Sequence, residues 1–276
     1  MMRVMSLEPG MEGPFLKFLM NDIVGNFFAL LNLKLSRGKT KFWLALDDDE
    51  VLGYLLEHDN RVINLRCDSR YAAELLRMSR LPEPELNVEP WNMQIVDSFY
   101  EPMNPVGIRR GRVNTIVAMS IDKKSFRPEV KHATKKLSPG EFDALSDLYV
   151  KFYAEMTLGP MTREQISGIL DRNTKHGATY GIYDGDELVS FASGSSVLNG
   201  FGHLAPIYTS PEFRMRGYAT SACSALVRDL LGNNERTILF VSESNVAALK
   251  LYRKIGFTRT GHTFFTFWGR RTKNQL

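Results

Sequence analysis

Two periodicities divide the second half of the chain into helices and strands. Phe142, Leu145, Leu148, Tyr149 and Phe152 recur at three- and four-residue spacing, which puts them on one side of a helix. Ser138-Pro139-Gly140-Glu141 precedes them as a capping box with proline at the first helical position. Thr162 with Gln165 is a second capping box, and its helix runs toward His176-Gly177. A hairpin is expected at 179–197 and a strand near His203 to Thr209. Next comes a helix over Tyr218 to Leu231, with Ala219, Ala222, Cys223, Leu226 and Leu230 as its apolar stripe. A strand over Thr237 to Val241, a helix over Val246 to Ile255 ended by Gly256, and strands near Phe257 and Thr263 to Trp268 complete the series. Helices separated by strands, several of them in hairpins, predict a mixed α/β sheet.

The first half carries an echo of this pattern. Trp43-Leu-Ala-Leu-Asp-Asp-Asp-Glu-Val-Leu-Gly-Tyr54 matches Tyr180-Gly-Ile-Tyr-Asp-Gly-Asp-Glu-Leu-Val-Ser-Phe191 as strand, acidic turn, strand, at an offset of 137 residues. That offset is about one domain, so a duplicated fold is the leading organisation. The apolar periodicity fades after the strand-like Val113 to Ile121, between Ser125 and Lys136, and Pro128 lies there. Domains over 1–128 and 129–276 are therefore expected. At 276 residues the chain is long enough for about two cores.

Composition narrows the function classes. Apolar residues make up 43% and charged residues 24%, which excludes a disordered or fibrous chain. The richest apolar run, Ile23 to Leu35, is broken by Gly25, Asn26, Asn32 and Lys34, so no membrane span is expected. Thirty-five basic against 31 acidic residues leave +4, too little to argue for a nucleic-acid surface. The basic clusters Lys131 to Lys136 and Arg270, Arg271, Lys273 read as solvated linker and tail. Cys67 and Cys223 stand alone, and no secretory leader is recognisable, so a cytoplasmic location is the expectation. Histidines 58, 132, 176, 203 and 262 lack metal-ligand spacing, and no metal is expected.

One loop has the chemistry to hold a phosphate. Strand, then Pro211-Glu-Phe-Arg214-Met215-Arg216-Gly217-Tyr218-Ala219-Thr220, then helix, offers unpaired N–H groups at a helix start with two guanidinium groups beside them. Gly217 permits a positive φ and Ala219 keeps the helix entrance clear. A plain βα turn with solvated arginines is the alternative. Two other glycine motifs fail. Gly38-Lys39-Thr40 has Leu33 where a Walker loop needs glycine, and Gly200-Phe-Gly202-His-Leu-Ala205 runs into Pro206 and a strand where a dinucleotide fold needs a helix.

With these residues in hand, the stretch from Leu137 to Trp268 resembles the GNAT superfamily of N-acetyltransferases. Arg214-x-x-Gly217-x-Ala219 is similar to its pyrophosphate loop, introduced by Ile207-Tyr-Thr-Ser-Pro211. Asn245-x-x-Ala248-x-x-Leu251-Tyr252-x-x-x-Gly256-Phe257 is similar to its second signature. The resemblance implies a GNAT acyl-CoA N-acyltransferase fold, in tandem with a divergent first half that shapes the acceptor site. The offset places Arg80 opposite Gly217, so the first copy is expected to lack the phosphate loop.

The resemblance further implies acetyl-coenzyme A as co-substrate, lying between two splayed strands. Its pantetheine would pair with the backbone of Ile207, Tyr208 and Thr209, and its phosphates would meet Arg214, Met215, Arg216, Gly217, Tyr218, Ala219 and Thr220. Pro206 suits a bulge where the strands part, or an edge strand. Tyr252 would be the general acid for the departing thiolate, or else a core aromatic beside Leu251 and Ile255. Asn245 would contact the pantetheine arm, cap the helix from Val246, or do both. His203 is the candidate general base, with Glu155, Glu212, Glu243 and water as rivals. Cys223 reads as a small buried side chain.

The function implied is direct transfer of an acetyl group to a primary amine. A sensor without turnover and a transferase of longer acyl groups are the alternatives. The acceptor, a small molecule or a peptide, would be held by the first two helices and the loop around Thr157 to Met161. Phe264, Phe265 and Phe267 read as an exposed strand that could pair in a homodimer.

Overall fold

The order of elements along the chain repeats. In a computed structural model, which describes residues 2–79, 81, 85–100, 108–155, 161–198 and 200–270, the first half runs β1 (Met2–Ser6), α1 (Glu12–Met20), α2 (Phe27–Leu35), β2 (Thr40–Asp47) and β3 (Glu50–His58). It continues through β4 (Val62–Cys67), α3 (Ser69–Met78), β5 (Glu85–Val88), α4 (Met93–Tyr100) and β6 (Ile108–Asp122). The second half runs β7 (Lys135–Lys136), α5 (Phe142–Glu155), α6 (Arg163–His176), β8 (Gly177–Asp184) and β9 (Glu187–Leu198). Then come β10 (Phe201–Thr209), α7 (Tyr218–Asn233), β11 (Arg236–Ser242), α8 (Val246–Ile255) and β12 (Thr258–Arg270). Among the described residues the order of helices and strands in the first half thus parallels that in the second, in keeping with the acidic hairpin that recurs in the sequence. The two strands expected near Phe257 and Thr263 are one, because Gly261 continues the extended backbone without a turn.

The described residues form two compact units, drawn from Met1–Ala118, Ser242–Ser244 and Thr260–Leu276, and from Met119–Val241 and Asn245–Arg259. In the first, β1 to β4 pair antiparallel and β4 pairs parallel with β5. The backbone of Phe264–Phe267 pairs antiparallel with β5, Phe264 opposite Val88 and Phe267 opposite Glu85. The strand read as available to a second molecule therefore has its partner within the chain. Leu55, Ile63 and Leu65 of the sheet are buried with Tyr71, Leu75 and Leu76 of α3 and Val96 of α4.

In the second unit, β7 to β10 pair antiparallel and β10 pairs parallel with β11. Both predicted capping boxes are present, Ser138 with Glu141 and Thr162 with Gln165, and they start the helices where the sequence places them. Leu145, Leu148 and Tyr149 of α5 and Ile166 and Leu170 of α6 pack with Phe191 and Tyr208 of the sheet. The other face is covered by α7, whose Ala222, Cys223, Leu226 and Leu230 are buried and whose Ala219 is half-buried at the open end of the helix. Burying each leucine contributes about 1.5–3 kcal/mol, so this stripe anchors the helix that presents the phosphate-like loop.

Candidate active site

The strands β10 and β11 pair for a short distance only. Their parallel register runs from Phe201 opposite Arg236 to His203 opposite Ile238, and β10 then continues to Thr209. On the other side β10 stays paired with β9, Ile207 opposite Ala192 and Thr209 opposite Ser190. A register shift between Leu204 and Ile207 spans Pro206, the bulge its missing N–H favours. Ile207, Tyr208 and Thr209 thus lie on a strand whose ladder with β11 has ended.

The loop follows at once. Met215 (φ 65°) and Gly217 (φ 88°) are left-handed, and Gly217 is the N-cap of α7. The first helical bond runs from Ser221 N–H to the Gly217 carbonyl, so the N–H groups of Gly217, Tyr218, Ala219 and Thr220 carry no backbone bond among the described residues. Arg214 donates from Nε to the Thr209 carbonyl at 3.0 Å and from Nη2 to Glu155 at 2.6 Å. Arg216 meets Asp184 at 3.3 Å, and its carbonyl accepts from His132 Nε2 at 2.8 Å. The Tyr218 hydroxyl also donates to Asp184, at 3.0 Å. A loop of left-handed residues, four outward N–H groups and two guanidinium groups fits a pyrophosphate.

Behind the loop the chemistry is phenolic. Tyr252 is buried with its ring edge-on to Phe257, and burial, reinforced by neighbouring Cys223, holds its pKa above the ordinary phenol value. The hydroxyl makes no hydrogen bond among the described residues. Cys223 is fully buried, which pushes its thiol up to about 12 and leaves it inert as an acyl carrier. Asn245 caps α8, its side-chain oxygen accepting from Ala248 N–H at 3.1 Å.

The candidate bases differ sharply. His203 is half-buried beside the Phe240 ring, and loss of water pushes its pKa down to about 4. It stays neutral near pH 7, but taking a proton from an alkylammonium with pKa of ~10 would be uphill by roughly 8 kcal/mol. Glu155 is the acceptor for Tyr208, at 2.6 Å, and for Arg214. Partial burial raises its pKa, but these two hydrogen bonds outweigh it and hold the carboxyl below its ordinary value. Glu212 lends its carbonyl to Arg216, and Glu243 belongs with the first unit.

Sequence reasoning missed the direct partners of the loop. His132 and Asp184 sit far from it in the chain, and neither belongs to the two motifs of the family resemblance. Asp184 ends β8 within the repeated acidic hairpin, and that register is the only local signal. The loop between Thr157 and Met161, assigned to the acceptor, lies outside the described residues except for Met161, as do Arg271 and Lys273.

Among the described residues the first unit has no counterpart of this loop. Asp68 alone separates β4 from α3, and its carboxylate accepts the Arg70 N–H at 2.9 Å. A one-residue connection cannot wrap a phosphate, and a carboxylate already occupies the helix start. Where β4 and β5 part, beyond Leu65 and Val88, the Cys67 carbonyl is taken by Trp91 Nε1 (3.1 Å) and Asn92 Nδ2 (2.9 Å). Arg80, the position projected opposite Gly217, lies outside the described residues; the offset of the hairpins does not survive the shortened connection.

Among the described residues no helix is long and apolar enough to cross a membrane, and no group of three or more His, Cys, Asp or Glu could hold a metal ion. Residues 142–257 match the acetyltransferase (GNAT) family. The uncharacterized N-acetyltransferase YobR of Bacillus subtilis is 36% identical over 78 residues, 28% of this chain and 31% of that protein, so the match spans about a third of that relative. A GCN5-related N-acetyltransferase from Sphaerobacter thermophilus shares the fold with a TM-score of 0.69 at 15% identity, over 100% of this chain and 98% of that one. A tandem GNAT protein from the clavulanic acid biosynthesis pathway aligns over 98% of both chains, with a TM-score of 0.56 at 12% identity. The splayed strand, the left-handed loop and the helix behind it lie inside the matched segment, and it is that segment which is similar to the acetyltransferase (GNAT) family.

Proposed function

We propose that the second unit transfers an acetyl group from acetyl-coenzyme A to a primary amine by direct attack in a ternary complex. The observation that carries this reading is the continuity of one backbone run. Ile207–Thr209 leaves the β11 ladder, and eight residues later the same run presents the unbonded N–H groups of Gly217 to Thr220. A ligand with a strand-like arm and a pyrophosphate is the shape this run accommodates. The thioester supplies an activated acyl group.

The chain's own residues then have distinct tasks. Backbone groups of Ile207, Tyr208 and Thr209 hold the arm, and Arg214, Arg216 and the helix start hold the phosphates. Tyr252 donates a proton to the departing sulfur; its raised pKa keeps the phenol protonated at neutral pH. His203, held neutral, lines the parted strands but is too weak a base to deprotonate an ammonium, and water carries that proton to solvent. Calorimetry should find one molecule of coenzyme A per chain, and thiol release from acetyl-coenzyme A should depend on an added amine. Absence of coenzyme A binding would sink the proposal. Binding without thiol release across an amine panel would favour a sensor.

A further inference from the structure

The segment joining β6 to β7 is basic and reads as solvated linker, yet three of its backbone N–H groups are fixed to α7. Glu129 N–H donates to Ser224 Oγ at 3.0 Å, and Lys131 and His132 N–H donate to Ser221 Oγ at 3.0 and 3.3 Å. Both serines are fully buried, so these bonds give otherwise costly hydroxyls their partners. Glu129 also pairs with Lys254 of α8. The segment is thereby held across the first turns of the helix, and His132 is delivered to the loop.

There the imidazole makes two contacts. Its ring meets Tyr218 edge-on at 4.5 Å, and Nε2 lies 2.8 Å from the Arg216 carbonyl oxygen. A carbonyl only accepts, so Nε2 carries the proton. In a trans peptide the C=O and the following N–H point in opposite directions. Holding the Arg216 oxygen toward His132 therefore turns the Gly217 N–H away from it, toward the side left open for an anion. The φ of 88° at Gly217 leaves this peptide plane weakly determined by local sterics, so an external tether is needed to fix it.

We propose that His132 is a positioning residue for the donor substrate, setting the orientation of the 216–217 peptide and through it the affinity for the pyrophosphate. This rests on the assignment of acetyl-coenzyme A to the loop. The test compares the wild type, His132→Ala and His132→Gln with two donors, acetyl-coenzyme A and S-acetylpantetheine, which lacks the pyrophosphate. His132→Ala should raise KM for acetyl-coenzyme A, and Kd for coenzyme A by calorimetry, about five- to tenfold with kcat unchanged. KM for S-acetylpantetheine should not move, and His132→Gln, which keeps an N–H donor, should restore most of the loss. No loss in either variant, or an equal loss on both donors, overturns the proposal and leaves the assignment of the loop intact. A wild type that binds no coenzyme A overturns that assignment, and this proposal with it.

Discussion

The Tyr208 hydroxyl donates to Glu155 across 2.6 Å, tying the end of β10 to the last residue of α5. The other oxygen of the same carboxylate holds Arg214, whose guanidinium stacks over the Tyr208 ring at 5.6 Å. Burial, with the carboxylate bond adding to it, pushes the Tyr208 phenol up to about 12 and keeps it a donor. One charge of the phosphate loop is therefore already neutralised within the protein.

Glu155→Gln should release that charge without moving the arginine, because Arg214 Nε keeps its bond to the Thr209 carbonyl. Coenzyme A should bind about two- to fivefold more tightly, the size expected for one partly exposed ion pair. The gain should shrink at about 0.5 M salt, where the Debye length falls to a few ångströms. Unchanged or weaker binding in calorimetry would mean that Glu155 aligns Arg214 rather than competing for it.

Tyr252→Phe separates proton donation from packing. The ring keeps its contact with Phe257, and no hydrogen bond among the described residues is lost, so thermal stability should barely change. The proposed acid would be gone, and kcat should fall about a hundredfold with Kd for coenzyme A unaltered. Because the phenol is held above its ordinary value, wild-type activity should show no loss from Tyr252 ionisation up to about pH 9. A variant with wild-type kcat would return Tyr252 to the core.

The parts of this protein legible in its sequence are those specified locally. The capping boxes, the stripe of α7 and the glycine after α8 each depend on residues within a turn or two, and each appears where the sequence places it. The end of the β10–β11 ladder also left a trace, Pro206. What the sequence conceals is tertiary. His132 reaches Arg216 from a stretch with no regular pattern, and Glu155 meets Tyr208 and Arg214 only because α5 ends beside β10. The neutrality of His203 comes from its surroundings, which spacing cannot report.

Gly217 and Gly256 come from the two motifs, and both are left-handed, but their surroundings differ. A Cβ at Gly217 would find nothing closer than His132 at 3.7 Å, so Gly217→Ala should cost only the backbone term, about 1–2 kcal/mol. A Cβ at Gly256 would fall 2.0 Å from the Ser125 carbonyl oxygen, which cannot yield without moving the segment whose Arg127 N–H bonds Ile255. Gly256→Ala should therefore lose at least twice the stability of Gly217→Ala in urea melts. The binding effects should rank the other way, since only Gly217 lies on the phosphate loop. Equal stability losses would show that Ser125 has room to move.

Glu141 offers a test of the second unit by acid. Its carboxylate accepts from Ser138 N–H at 2.8 Å and Ser138 Oγ at 2.6 Å, and pairs with Lys135 at 2.5 Å. The bond from Lys135 first, then those from Ser138, lower its pKa from 4.5 to about 2. The folded state thus binds this proton more weakly than the unfolded chain does, and the stabilisation is complete above the unfolded value and disappears as pH falls through the folded one. Glu141→Gln keeps an acceptor but loses the charge. Its thermal melts should lie below the wild type by a constant margin from about pH 8 to 5, and the margin should close between about pH 4.5 and 2. Because the group is close to the surface, the margin at neutral pH should also narrow with added salt. A margin that does not change with pH would assign the effect to helix geometry rather than to the charge.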